Sequence, residues 1–108
     1  MPTGAFWNTD NPAKPWGLFD VNSTLIFPID IGTWLADLSS TYADHEVIAV
    51  TPLECVESTR TGDVVAVKIR LLDAAEFTLG KKYPFTLRLT TADGQVDDRT
   101  LWLKVKER

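Results

Sequence analysis

The last thirty residues constrain the fold of this chain more than any other stretch. Tyr83, Phe85, Leu87 and Leu89 fall on one face of an extended segment and Lys82, Thr86 and Arg88 on the other, the period of two that marks a half-buried strand. Leu101, Leu103 and Val105 repeat the pattern. Between the two arms stands Asp93-Gly94, where glycine accepts the positive φ of a tight reversal. A long hairpin with one apolar face has to bury that face against a second layer. The expectation is the closing hairpin of an immunoglobulin-like sandwich.

Upstream segments agree. Leu25, Phe27 and Ile29 share one face of a strand ending near Asp30, with Pro28 pointing to an edge position because proline has no N–H for a ladder. Trp34, Leu35 and Leu38 have the spacing of a single helical turn that closes one end of the sandwich, with Trp34 as a core plug. Ser39-Ser40-Thr41 reads as a loop. Glu46 to Val50 and Leu53 to Ser58 are short strand candidates separated by Thr51-Pro52. After the turn at Thr61-Gly62-Asp63, Val65, Val67, Ile69 and Leu71 alternate with Ala66, Lys68 and Arg70. Leu79-x-x-x-Tyr83 before the final hairpin has the form of a tyrosine corner, in which the Tyr83 hydroxyl bonds upstream backbone. The fold class is therefore all-β, an immunoglobulin-like or fibronectin III-like sandwich of about seven short antiparallel strands.

Residues 1–20 have a different texture. Pro2, Pro12, Pro15, Gly4 and Gly17 are interleaved with Phe6, Trp7, Trp16 and Phe19, and no regular period fits them. Such aromatics are costly to leave in water. The segment reads as an extended arm that either folds back over its own sandwich or anchors in a neighbouring subunit, as buried aromatics do at interfaces. The domain plan is an arm over 1–20 and a sandwich over 21–108. Trp102 breaks the pattern of the final strand: with Leu101, Leu103 and Val105 facing the core, it faces outward beside Lys104 and Lys106. Its expected contact is another protein or the chain's own arm. The candidate protein-binding residues are thus Phe6, Trp7, Trp16, Phe19 and Trp102.

At 108 residues the chain has the size of one domain, and a formal net charge of −4 argues against a phosphate-tracking surface and hence against nucleic acid. No apolar run reaches the ~20 residues that span a bilayer, and no secretory signal is visible, so synthesis and residence in the cytosol are expected, with no membrane partner. The lone cysteine, Cys55, leaves no internal disulfide and no zinc cluster and reads as a small buried hydrophobe.

Catalytic and metal chemistry finds little footing. His45 lies between Asp44 and Glu46, but neighbours on a strand point to opposite faces, and a solvated loop with no partner placed for a triad is the expectation. Asp93, Asp97 and Asp98 lack the ligand spacing of an EF-hand and read as a turn, with Asp97 or Asp98 paired to Arg99. Neither a Gly-x-Ser-x-Gly elbow nor a glycine-rich phosphate loop occurs. No enzyme activity, cofactor or metal is expected.

The residues from Leu87 to Arg108, with Thr90-Thr91-Ala92-Asp93-Gly94 and Asp97-Asp98-Arg99-Thr100 followed by an alternating strand and a terminal Glu-Arg, resemble the closing segment of a family of small tailed-bacteriophage and prophage proteins. A second patch, Asp20 through Leu35 with Leu25, Phe27, Ile29-Asp30 and Trp34-Leu35, resembles the same family, departing from it at Ile26 and Ile31. The family is described as virion structural or fibre-tail adaptor proteins. The resemblance implies a virion protein made in the host cytoplasm, present in several copies in a symmetric assembly and bound to neck, tail, fibre or capsid components. A capsid decoration protein is the alternative of the same kind. A carbohydrate-binding module, with Trp102 stacking on sugar rings, is the alternative of another class.

Overall fold

The apolar residues that alternate along the sequence sort onto the inner faces of two stacked sheets in the computed structural model, which describes residues 15–20, 24–72 and 77–106. Its strands are β1 (Trp16–Asp20), β2 (Leu25–Asp30), β3 (Tyr42–Ala49), β4 (Leu53–Thr61), β5 (Val64–Leu71), β6 (Lys82–Thr91) and β7 (Val96–Lys106), with one short helix, α1 (Gly32–Asp37), between β2 and β3. One sheet has the order β1-β7-β6-β3 and the other β2-β5-β4. Placing the second, fifth and fourth strands against the seventh, sixth and third is the arrangement of an immunoglobulin-like sandwich. Every pairing is antiparallel except that of β1 with β7, which is parallel. That one parallel pair departs from the antiparallel expectation.

Phe27, Ile29, Val65, Val67 and Ile69 from the three-stranded sheet meet Phe85, Leu87, Leu89, Leu101, Leu103 and Val105 from the other, all buried. Burying a side chain of this size stabilises by about 1.5–3 kcal/mol, so this interlayer is the main source of stability. Trp34 on α1 is fully buried and plugs one end of the sandwich, as its spacing predicted. The helix closes in a Schellman turn: Ser39 N–H donates to Ala36 O, Ser40 N–H to Leu35 O, and Ser39 adopts φ of +52°. The tyrosine corner is present, with Thr78 N–H donating to Tyr83 Oη at 2.7 Å.

Residues 16–20, counted with the arm in the sequence reading, form β1. Phe19 lies in the chain's own core with no exposed surface, so it is not available to a neighbour. The strand escaped detection because the other inward position is Gly17, which leaves Phe19 as the single apolar side chain on that face. Phe6 and Trp7 lie outside the described residues.

The four strands at the sheet ends are not equivalent. β2 carries Pro28 inside its pairing with β5. In β3 the register shifts between Tyr42 and Asp44, and in β4 between Cys55 and Glu57, two bulges that twist and interrupt their edges. β1 pairs with β7 over five residues without a shift and without an internal proline.

A candidate protein-binding face

The register of β1, β7, β6 and β3 sets the composition of the outer face of the four-stranded sheet. Residues that are directly paired point to the same side. Trp16 pairs with Trp102 and Trp102 with Pro84, giving an apolar row across three strands. The next row on that side is Leu18, Lys104 and Lys82. Moving the other way come Thr100, Thr86 and Ile48, and then Asp98, Arg88 and Glu46. Their inward neighbours Leu101, Leu103, Val105, Phe85, Leu87 and Leu89 are core, so the outer side chains stand on a rigid platform.

The two halves of this face differ electrostatically. At one end of the face Arg88 on β6 donates to both carboxylate oxygens of Asp98 on β7, at 2.8 and 3.0 Å, and lies 3.7 Å from Glu46 on β3. Hydrogen bonding from Arg88 holds the Asp98 carboxyl below its ordinary range, and Asp98 in turn raises Arg88. The charges of that half are engaged with one another within the chain. At the other end, where β1 pairs with β7, Lys82 Nζ sits 4.4 Å and Lys104 Nζ 5.5 Å from the centre of the Trp16 indole. Neither ammonium has a carboxylate partner among the described residues. A cation over a partly exposed indole contributes about 0.5–1 kcal/mol and leaves the ammonium its charge.

Trp16 and Trp102 are both half-buried, and Leu18 beside them is 45% exposed. Trp16 Nε1 is buried and has no hydrogen-bond partner among the described residues. Trp102 is held by its backbone, its N–H donating to Pro15 O at 3.0 Å. Of the residues proposed from sequence, the structure therefore brings Trp16 and Trp102 together on one face and removes Phe19 to the core. Lys82, Lys104, Pro84 and Leu18 join them. The outward parity of Lys104 was visible in the alternation of β7, but its proximity to Trp16 depends on the parallel β1–β7 pairing, which no local signal announced.

His45 is not in a loop. It lies on β3, its Nδ1 2.7 Å from Tyr42 Oη and its Nε2 2.9 Å from Ser58 Oγ, while the Arg60 guanidinium sits 4.2 Å from the centre of the Tyr42 ring. The two bulges produce this arrangement. They shift the parity of β3 and β4 so that Tyr42, His45, Ser58 and Arg60 all turn toward the seam between the sheets. Ser58 next to a histidine has the outline of a nucleophile and base, contrary to the expectation that His45 has no partner. Its third member is a phenol under a guanidinium rather than the carboxylate that orients the base of a triad, and burial with the nearby Asp44 raises the Tyr42 hydroxyl. The cluster stitches the sheets together. Farther along the seam an open groove of about 330 Å³ is lined by Val47, Ala49, Leu53 and Cys55. Burial there pushes the Cys55 thiol up, away from the reactive thiolate.

The acidic turn is held as a turn. Asp93 accepts hydrogen bonds from Thr91 Oγ1 at 2.5 Å, Ser40 Oγ at 2.7 Å and Gln95 Nε2 at 3.0 Å, which lower its carboxyl to about 2. Gly94 takes φ of +90°. Asp97 pairs with Arg99 at 3.2 Å and accepts from Trp34 Nε1 at 2.8 Å. No group of three candidate metal ligands occurs among the described residues.

No protein-family model matches the chain, and no curated protein matches it.

Proposed function

We propose that the chain is a non-enzymatic structural protein of a tailed-bacteriophage virion, a neck or tail adaptor that helps attach tail fibres through protein–protein contacts. The observation that carries this reading is the outer sheet face, where Trp16, Trp102, Pro84 and Leu18 form an apolar patch beside two lysines that meet no carboxylate among the described residues, on a platform fixed by the core. Aromatic anchors with a charged rim are the composition of a binding hot spot. The phage assignment rests on the resemblance of residues 87–108 and 20–35 to fibre-tail adaptor proteins.

In this role the domain acts by shape and repetition. Copies made in the host cytoplasm seat around a symmetric virion component, each contributing a modest contact that multivalency amplifies. Immunogold microscopy of purified particles, with an antibody raised to residues 20–108, tests the location. Label at the neck or tail is the expected result. Label over the head would replace the adaptor with a decoration protein, and unlabelled particles would overturn the virion reading. Particles that incorporate a Trp16→Ala/Trp102→Ala chain as well as the parent would remove the outer face from the mechanism.

A further inference from the structure

We propose that the outer edge of β1 is the docking strip for an extended acidic segment of a partner protein, which pairs with the β1 backbone and places carboxylates on Lys82 and Lys104. The inference deepens the adaptor reading and rests on it for the partner's origin.

Two independent features converge on this strip. The first is the edge itself. β2 carries Pro28 within its pairing, and β3 and β4 are interrupted by register shifts, whereas β1 has neither device. Because Trp102 N–H bonds Pro15 O, Pro15, Gly17 and Phe19 are the residues of this strand that address β7 in the parallel ladder. The N–H and C=O groups of Trp16 and Leu18 point the other way. A strand added there would gain main-chain hydrogen bonds, with alternate side chains falling on the outer face.

The second feature is charge. At the other end of the outer face, the carboxylates of Asp98 on β7 and Glu46 on β3 are engaged with Arg88 on β6. Lys82 and Lys104 converge on one indole and meet no carboxylate among the described residues, although the chain as a whole carries a net charge of −4. Side chains of an added strand on that face would stand beside Trp16 and Leu18, within reach of both ammoniums. Carboxylates there would neutralise the pair, while the intervening apolar side chains would fall on the opposite face of the sheet. Residues 1–14 of another copy are the obvious rival occupant. They contain one aspartate and one lysine and so offer no complementary charge.

The test uses the full-length, isotopically labelled chain and a synthetic decapeptide alternating glutamate and valine, followed by amide chemical shifts. Expected are shifts confined to residues 16–20, 82–84 and 102–106. A lysine-valine peptide should not bind. A glutamate-valine peptide N-methylated on alternate residues should lose at least tenfold in affinity, because its charge is intact but its ladder is not. Lys82→Glu/Lys104→Glu, with dispersed native-like spectra, should lose at least tenfold as well, and Lys82→Ala/Lys104→Ala serves if the reversal fails to fold. No shifts at millimolar peptide, equal binding of the lysine peptide, undiminished binding of the N-methylated peptide, or shifts at β2, β3 or β4 instead would each overturn the inference. A peptide that fails to bind to a chain which labels at the tail defeats this inference alone. Binding by a chain that does not label particles defeats the virion reading alone.

Discussion

Trp34 and Trp16 each carry a cation over the indole, yet one site is closed and the other open. At Trp34 the ring is fully buried, Nε1 donates to Asp97, and Arg99, 5.2 Å from the ring centre, is itself paired with Asp97. Donor, cation and anion are all satisfied within the chain. At Trp16 two lysines share the ring with no anion among the described residues, and Nε1 has no acceptor there. An indole with a cation over it thus makes a structural plug at one end of the sheet and an incomplete site at the other. Besides depth of burial, what separates them is one carboxylate, and completeness is the mark by which a stabilising cluster can be told from a recognising one.

The comparison breaks most severely if the closed site is emptied. Trp34→Ala leaves a large cavity at the end of the core and should cost about 3–5 kcal/mol in a urea titration. Trp16→Ala removes a half-exposed ring and a donor with no acceptor among the described residues, and should cost about 1 kcal/mol or less. Equal losses would mean that the two sites do the same job. A smaller wound to the closed site is Asp97→Ala, which strips the acceptor from Trp34 Nε1 and the anion from Arg99. A loss of about 1–2 kcal/mol is expected from these partly exposed bonds. An unchanged midpoint would show that burial of the ring alone holds Trp34.

Acid should act on the same end. The Asp93 carboxyl is lowered to about 2 by hydrogen bonds from Thr91, Ser40 and Gln95. A depressed carboxylate binds protons more readily when unfolded, so its contribution is complete above pH ~4 and is lost as the pH falls toward 2. Stability of the parent should decline across that window, and Asp93→Asn should flatten part of the decline. A parallel decline in the Asn variant would assign the acid sensitivity elsewhere.

How far this division could be read in advance depended on the range of the signals. The core of β5, β6 and β7 was legible because alternation is a property of neighbouring residues, as were Gly94, Pro28 at an edge, Trp34 as a plug and Tyr83 at the corner. β1 was hidden because Gly17 occupies an inward position and cannot register as apolar. The bulges at Ala43 and Val56 leave no mark in the sequence, so the Tyr42–His45–Ser58 bridge across 13 positions was missed. Trp34 and Asp97 are 63 positions apart, and only the folded register brings them together. Trp102 was placed on the correct face from its neighbours, whereas the lysines over Trp16 needed the parallel pairing.

The smallest change in stability should come from completing the open site. Leu18 pairs directly with Lys104 across β1 and β7, so Leu18→Glu puts a carboxylate opposite an ammonium that meets none among the described residues. A cross-strand ion pair at the surface gives about 0.2–1 kcal/mol, and losing an apolar chain that is already 45% exposed takes back a similar amount. The unfolding midpoint should therefore stay within about 0.5 kcal/mol of the parent. Affinity for the glutamate-valine peptide should nonetheless fall at least fivefold, because an internal carboxylate now competes for Lys104 and repels the incoming one. A stable variant with impaired binding would show that the vacancy at Trp16 serves recognition. Undiminished binding would mean that the lysines only shield the indole, and the distinction between the two tryptophan sites would reduce to depth of burial.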